Sequence, residues 1–251
     1  MEPVYTPVIG FARTLFALEG LRFTVTGAEH IPREGGGVVV MNHLSYLDFA
    51  YAGLAARPSK RVIRFMCKDT IFGHPVAGPL MRGMKHIPVD RDNGGASFRA
   101  ALTALKAGEL VGIFPEATIS RSFELKEFKS GAIRMAQAAR VPILPVVLWG
   151  SQRVWTKGHP KHLGRTNTPI TLSVGEPITV DRKDKPEAVE ALLRMRMQAL
   201  LDAAQAAYPP LSGGDLIYQP ARLGGAAPTR EEAARMEAAD VAARRAAKGL
   251  L

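Results

Sequence analysis

The sequence predicts an α/β fold: a single domain with a central mixed sheet covered by helices on both faces. Three observations predict it. Short apolar runs alternate along the chain with stretches of helical periodicity, as in Val38-Val39-Val40-Met41 followed by a helical pattern from Ser45. The 251 residues are long enough to bury a sizeable core. The composition, 47% hydrophobic and 22% charged, is that of a globular chain and excludes a wholly disordered or collagen-like one.

The elements follow in order. After Gly35-Gly36-Gly37, residues 38–41 read as a buried strand, and a helix is expected from about Ser45 to Ala56. Arg61 to Cys67 is strand-like. Phe98, Ala101, Leu102 and Leu105 share one side of a helix over Ser97 to Lys106. Strands are expected at Leu110 to Phe114, Val141 to Trp149 and Ile170 to Val174, with a helix at Gly131 to Arg140. Asp184-Lys-Pro-Glu187 is a cap-like start for a long helix reaching about Ala207. No repeat of 20–50 residues is present.

The two ends differ from the middle. In residues 7–22, Val8, Phe11, Ala12, Leu15 and Leu18 recur at helical spacing and Ile9 and Phe16 widen the face, with Pro7 near the start. This is either a helix packed on the core or an interfacial helix lying in a leaflet. No run of 18 uncharged apolar residues offers a spanning helix, and Met1 to Val8 lacks the basic region of a secretory signal. After Tyr208 the chain is broken by prolines and glycines. Thr229-Arg-Glu-Glu232 then opens an Ala-rich helical stretch, 230–248, with few large apolar side chains, expected to dock weakly or stay mobile. The expected division is an amphipathic, membrane-associating segment at 1–26, a main domain at 27–208 and a tail at 209–251.

Charge narrows the partners. The net charge is +10, of which residues 209–251 carry only +1. The remaining +9 favours an anionic partner: nucleic acid, a phosphorylated metabolite or an anionic membrane surface. No basic run with interleaved aromatics and no Walker-type loop supports nucleic acid. The single cysteine, Cys67, excludes an internal disulfide framework and fits a reducing compartment.

Three segments carry chemistry. In Asn42-His43-Leu44-Ser45-Tyr46-Leu47-Asp48, a histidine directly follows a buried strand and a carboxylate follows it by five residues. If a helix starts between them, the carboxylate turns back to the imidazole, fixes its tautomer and raises the basicity of the other nitrogen. A helix cap is the structural alternative. Phe114-Pro115-Glu116-Ala117-Thr118 closes another buried strand with a polar loop, or starts a helix with proline. In Pro88-Val89-Asp90-Arg91-Asp92, Arg91 is either a bidentate oxyanion ligand or half of a surface ion pair.

In this order, and with Val141-Pro142-Ile143-Leu144-Pro145-Val146 after them, these segments resemble the glycerolipid acyltransferase family, the 1-acylglycerol-3-phosphate acyltransferases and their relatives. The likeness spans about residues 27–180. Its blocks match at Asn42, His43 and Asp48; at Gly83, Asp90 and Arg91; at Phe114, Pro115, Glu116 and Thr118; and at Val141, Pro142, Ile143, Pro145 and Val146. Lys68, Pro75, Gly78 and the Phe128-Lys129 segment are similar to the family's intervening stretches. One position departs: the family's Gly-Thr-Arg reads Ala117-Thr118-Ile119, and the next arginine is Arg121.

The resemblance implies an acyltransferase domain at 27–208 that passes an acyl group from a thioester, acyl-CoA or acyl carrier protein, to the hydroxyl of 1-acylglycerol-3-phosphate. His43 would be the general base and Asp48 its orienting carboxylate, with no covalent intermediate. Asn42, Lys68, Arg91, Glu116, Ala117, Thr118 and Arg121 would form the substrate pocket, Arg91 on the acceptor phosphate. No metal and no cofactor beyond the cosubstrate is implied. The lysophospholipid acceptor and an anionic membrane surface would be its partners, at the cytoplasmic face of the membrane, peripheral or monotopic. Ile119 keeps a different lysolipid or glycolipid acceptor open, and a non-catalytic lipid-binding protein is the remaining class. A serine hydrolase would need Gly-x-Ser-x-Gly, which is absent.

Overall fold

The computed structural model describes residues 2–90 and 94–247. Its centre is β2 (Gly37–Met41), buried at every residue. β2 pairs in parallel with β5 (Leu110–Ile113) on one side and β6 (Ile143–Trp149) on the other. Beyond β5 lie β3 (Ile63–Lys68) and β4 (Ile87–Val89), both parallel. Beyond β6 lie β7 (Pro169–Val174), antiparallel to it, and β1 (Arg22–Thr26), parallel to β7. The seven-stranded order β1-β7-β6-β2-β5-β3-β4 makes the sheet mixed, as the sequence predicts.

Both faces are covered, which is why β2 and β6 are apolar without alternation. Val38, Val40, Val111, Ile143 and Val147 pack on one side with residues of α4 (Gly94–Lys106), α5 (Gly131–Ala139) and α6 (Pro186–Ala206). Val39, Met41, Ile63, Leu144 and Val146 pack on the other with α1 (Tyr5–Leu18) and α2 (Asp48–Ala52). Each such side chain contributes about 1.5–3 kcal/mol by leaving water. Gly112 in β5 is fixed by that packing: a Cβ there would lie 2.6 Å from Ile63 Cγ2 and 2.8 Å from the Phe65 ring.

Several elements differ from expectation. β1, β4 and α3 (Ala77–Gly83) have too few apolar residues in register to announce themselves. β1 lies within residues 1–26, the segment assigned to membrane association, yet it is part of the sheet. α2 begins only at Asp48, because the N–H groups of Leu44 and Ser45 both donate to the Asp48 carboxylate instead of entering a helix. α7 (Arg230–Ala247) starts with the expected capping box, Thr229 N–H donating to Glu232 and Glu232 N–H to Thr229 Oγ1.

α1 combines its two sequence alternatives. Tyr5 and Phe16 are buried, and the Tyr5 hydroxyl donates to the Ile63 carbonyl at 2.8 Å. Phe11, Leu15 and Leu18 face outward, Phe11 and Leu18 with about two thirds of their surface exposed. Just before α1, Glu2 reaches Arg64, a guanidinium 1% exposed that also pairs with Glu109 and the Met84 carbonyl. Cys67 is half-buried, and burial pushes its thiol up to about 12, which disfavours the thiolate. Among the described residues, no helix is long and apolar enough to cross a membrane.

Gly112→Val should destabilise the fold by about 1–3 kcal/mol through overpacking against Ile63 and Phe65. Chemical denaturation of the two proteins, compared at their midpoints, measures it.

Candidate active site

The site arises from two loops that leave adjacent parallel strands at the same height. Val40 of β2 pairs with Ile113 of β5, so Asn42-His43 and Phe114-Pro115-Glu116 emerge side by side. The chain after β2 turns to the face covered by α2, and the chain after β5 reaches α5 on the opposite face. Connections that diverge in this way open a crevice at the carboxyl ends of the strands.

His43 sits in that crevice, about one fifth exposed. Its Nδ1 lies 3.0 Å from Asp48 Oδ2. The same oxygen accepts the Leu44 N–H at 2.6 Å and the Ser45 N–H at 2.7 Å, and Asp48 is fully buried. A carboxylate oxygen so placed holds the proton on Nδ1 and leaves Nε2 as the basic nitrogen. The Phe114 ring stacks on the imidazole, centroids 4.1 Å apart and planes 22° from parallel, which fixes the second rotation of the side chain. The Ser120 N–H closes the other side by donating to the His43 carbonyl at 2.8 Å.

Glu116 is 4% exposed, and neither of its carboxylate oxygens has a hydrogen-bond partner. Burial therefore pushes its carboxyl well above the ordinary 4.5, helped by the charge of Asp48 and against those of Lys126 and Arg194. It lies under the histidine loop, where burial favours the protonated form of its carboxyl more than solvent would. Ala117, next to it, holds φ at 60°, a left-handed conformation that non-glycine residues seldom adopt.

The other anticipated residues divide. Asn42 is fully buried; its amide donates to the Leu148 carbonyl at 3.0 Å and accepts the Leu148 N–H at 2.8 Å. It ties the end of β2 to β6 rather than facing the crevice. Thr118 accepts the Lys126 ammonium at 2.6 Å. Ile119 is buried, 5% exposed, so the position of the family arginine points into the protein. Arg121 pairs with Asp240 of α7 at 2.9 Å. Lys68 is exposed at the end of β3, next to β5. Arg91 lies outside the described residues. Among those described, no three His, Cys, Asp or Glu side chains gather closely enough to hold a metal ion.

Sequence reasoning missed the stacking role of Phe114 and several further contributors. Phe114 was legible only as part of a motif, although its place one residue past β5 puts it beside His43. The loop after β6 supplies Trp155, whose carbonyl accepts the Tyr46 N–H and the Ser45 hydroxyl, and Thr156, whose hydroxyl donates to the Leu44 carbonyl. The pairing of Lys126 and Arg121 with the α7 carboxylates carried no local signal, because it joins residues over 100 positions apart.

The chain is similar to known proteins. Residues 22–149 match the family model described as Acyltransferase, just over half of the chain. The chain belongs to the PlsC-like acyltransferase family. A 1-acyl-sn-glycerol-3-phosphate acyltransferase of Bacillus subtilis is 28% identical over 186 residues, 70% of this chain and 86% of that protein. One from Limnanthes douglasii is 29% identical over 167 residues, 64% of this chain and 56% of the plant protein. The crystal structure of the 1-acyl-sn-glycerophosphate acyltransferase PlsC from Thermotoga maritima superposes with a TM-score of 0.65, covering 80% of each chain at 21% identity. It shares the fold. This member of the acyltransferase family departs from the family pattern at Ile119.

Glu116→Gln tests the raised carboxyl. A carboxyl whose folded pKa is raised favours the folded state less as pH rises from 4.5 through the raised value, since the unfolded chain ionises first. The amide has no such penalty. The stability of the variant relative to the parent should therefore increase from pH 5 to pH 8 in denaturation series at each pH; a gap independent of pH contradicts a raised Glu116 carboxyl.

Proposed function

We propose that this acyltransferase passes an acyl group from an acyl-CoA or acyl carrier protein thioester to the free hydroxyl of 1-acylglycerol-3-phosphate at a membrane surface. The observation that carries it is the His43–Asp48 pair at the crevice between β2 and β5. Nε2 of His43 takes the proton of the acceptor hydroxyl as its oxygen attacks the thioester carbonyl. The tetrahedral intermediate then expels the thiolate, which is protonated by the imidazolium. Asp48, with Nδ1–H against it, stabilises the imidazolium between the two steps. Holding both substrates in one crevice supplies much of the rate by making the attack effectively unimolecular.

A second acceptor class is favoured by one feature. Ile119 is buried and carries no guanidinium, and with α7 docked Arg121 is paired to Asp240 instead of facing an acceptor phosphate. A lysolipid or glycolipid with another headgroup fits that arrangement. The membrane part of the proposal rests on α1, whose Phe11, Leu15 and Leu18 form an outward apolar stripe on a chain of net charge +10.

In a thiol-release assay with acyl-CoA and a panel of phosphorylated and neutral acceptors, His43→Ala should lose roughly 10²–10⁴-fold in rate with the fold intact. Full activity in that variant overturns the mechanism. The acceptor that supports release separates lysophosphatidic acid from the second class. The triple variant Phe11→Ser, Leu15→Ser, Leu18→Ser changes only outward-facing side chains and should sediment less with anionic liposomes than the parent. Equal sedimentation refutes the membrane role of α1.

A further inference from the structure

α7 is attached to the domain in an unusual way. The positions it turns inward are Ala233, Glu237 and Asp240, spaced as one helical stripe, and of these only Ala233 is buried. Its larger apolar residues, Met236 and Val241, are about 40% exposed. Its attachment is instead ionic. Glu237 pairs with Lys126 at 2.6 Å, and Asp240 pairs with Lys157 at 2.6 Å and with Arg121 at 2.9 Å. These three cations come from the loops that frame His43. Lys126 also donates to Thr118, two residues beyond Glu116. Lys157 follows Trp155 and Thr156, which hold the Leu44–Tyr46 backbone. Arg121 lies so close to Gly158 that a Cβ there would come within 2.7 Å of its Nη1. The Nε of Arg121 is buried and has no hydrogen-bond partner, so the guanidinium has donor capacity that the α7 carboxylates leave unused.

We infer that Arg121, Lys126 and Lys157 form an anion subsite beside the crevice, that α7 fills it with Glu237 and Asp240, and that a substrate phosphate enters by displacing α7. Three cations set against two carboxylates leave one positive charge over, and a phosphate carries three acceptor oxygens suited to a guanidinium and two ammonium groups. A helix held by ion pairs rather than by a core yields to a competing anion, because only the undocked state binds it. The subsite deepens the acyl-transfer reading, and rests on it only for which substrate brings the phosphate.

The test uses the full chain and trypsin, which can cut after the exposed Arg230 and Arg235 once α7 undocks. Sodium pyrophosphate should accelerate that cleavage relative to sodium chloride of equal ionic strength, by about tenfold when present at ten times its dissociation constant. The double variant Glu237→Gln, Asp240→Asn should be cleaved rapidly in both salts. Equal rates for the parent in the two salts, or a variant that behaves as the parent does, overturn the inference. Separate arms with CoA and with glycerol 3-phosphate assign the phosphate to donor or acceptor by which one accelerates cleavage. In steady state the double variant should show a several-fold lower KM for that substrate; an unchanged or higher KM refutes the competition. The pyrophosphate arm needs no turnover, so a failure of the acyl-transfer reading is seen separately.

Discussion

One carboxylate oxygen organises the site. Asp48 Oδ2 accepts from the backbone of Leu44, the backbone of Ser45 and Nδ1 of His43. The first two bonds fold the six residues between strand and helix into a fixed turn, and the third aims the imidazole. The turn is closed from outside by the Thr156 hydroxyl and the Trp155 carbonyl, so the loop after β6 depends on it as well. Because Asp48 is wholly buried, its three donors are shielded from competing water and the orientation of His43 is set before any substrate arrives.

The neighbouring loop solves a different electrostatic problem. A second anion buried below His43 opposes Asp48, and both burial and that opposition raise the Glu116 carboxyl. Lys126 stands between two demands: it offsets the Glu116 carboxyl and makes its ion pair with Glu237. The polarity of the crevice floor and the seating of α7 therefore meet at one ammonium group.

Much of the architecture was legible in the sequence, and the exceptions have physical reasons. β2, β5, β6 and β7 are apolar enough to be read as strands, because they are sandwiched or half covered. β1 is an edge strand whose sequence, Arg-Phe-Thr-Val-Thr, has four exposed residues of five and no buried run. β4 has three residues, too few for any period to emerge. In the site, His43 and Asp48 were legible because the pair is local. Asn42 reads as a ligand contact from its motif, whereas a buried amide facing the backbone of a strand over 100 residues away leaves no local trace. Glu116 is expected from its motif to line a polar pocket; the rise of its carboxyl depends on burial, which only the folded chain defines. The tail was expected to be loose because its helix lacks large inward apolar residues. That observation stands, but the carboxylates at 237 and 240 have distant partners that no periodicity reveals.

The anchorage of α1 has a geometric consequence. Glu2 holds Arg64 just before the helix, the Tyr5 hydroxyl holds Ile63 at its first residue, and Phe16 is buried near its last. With both ends fastened, α1 is held at one orientation on the sheet. Whatever surface Phe11, Leu15 and Leu18 meet, the whole domain is carried against it in one attitude, like a hull on its keel. The height and heading of the β2–β5 crevice above that surface are then constants of the fold, set by three contacts at the beginning of the chain.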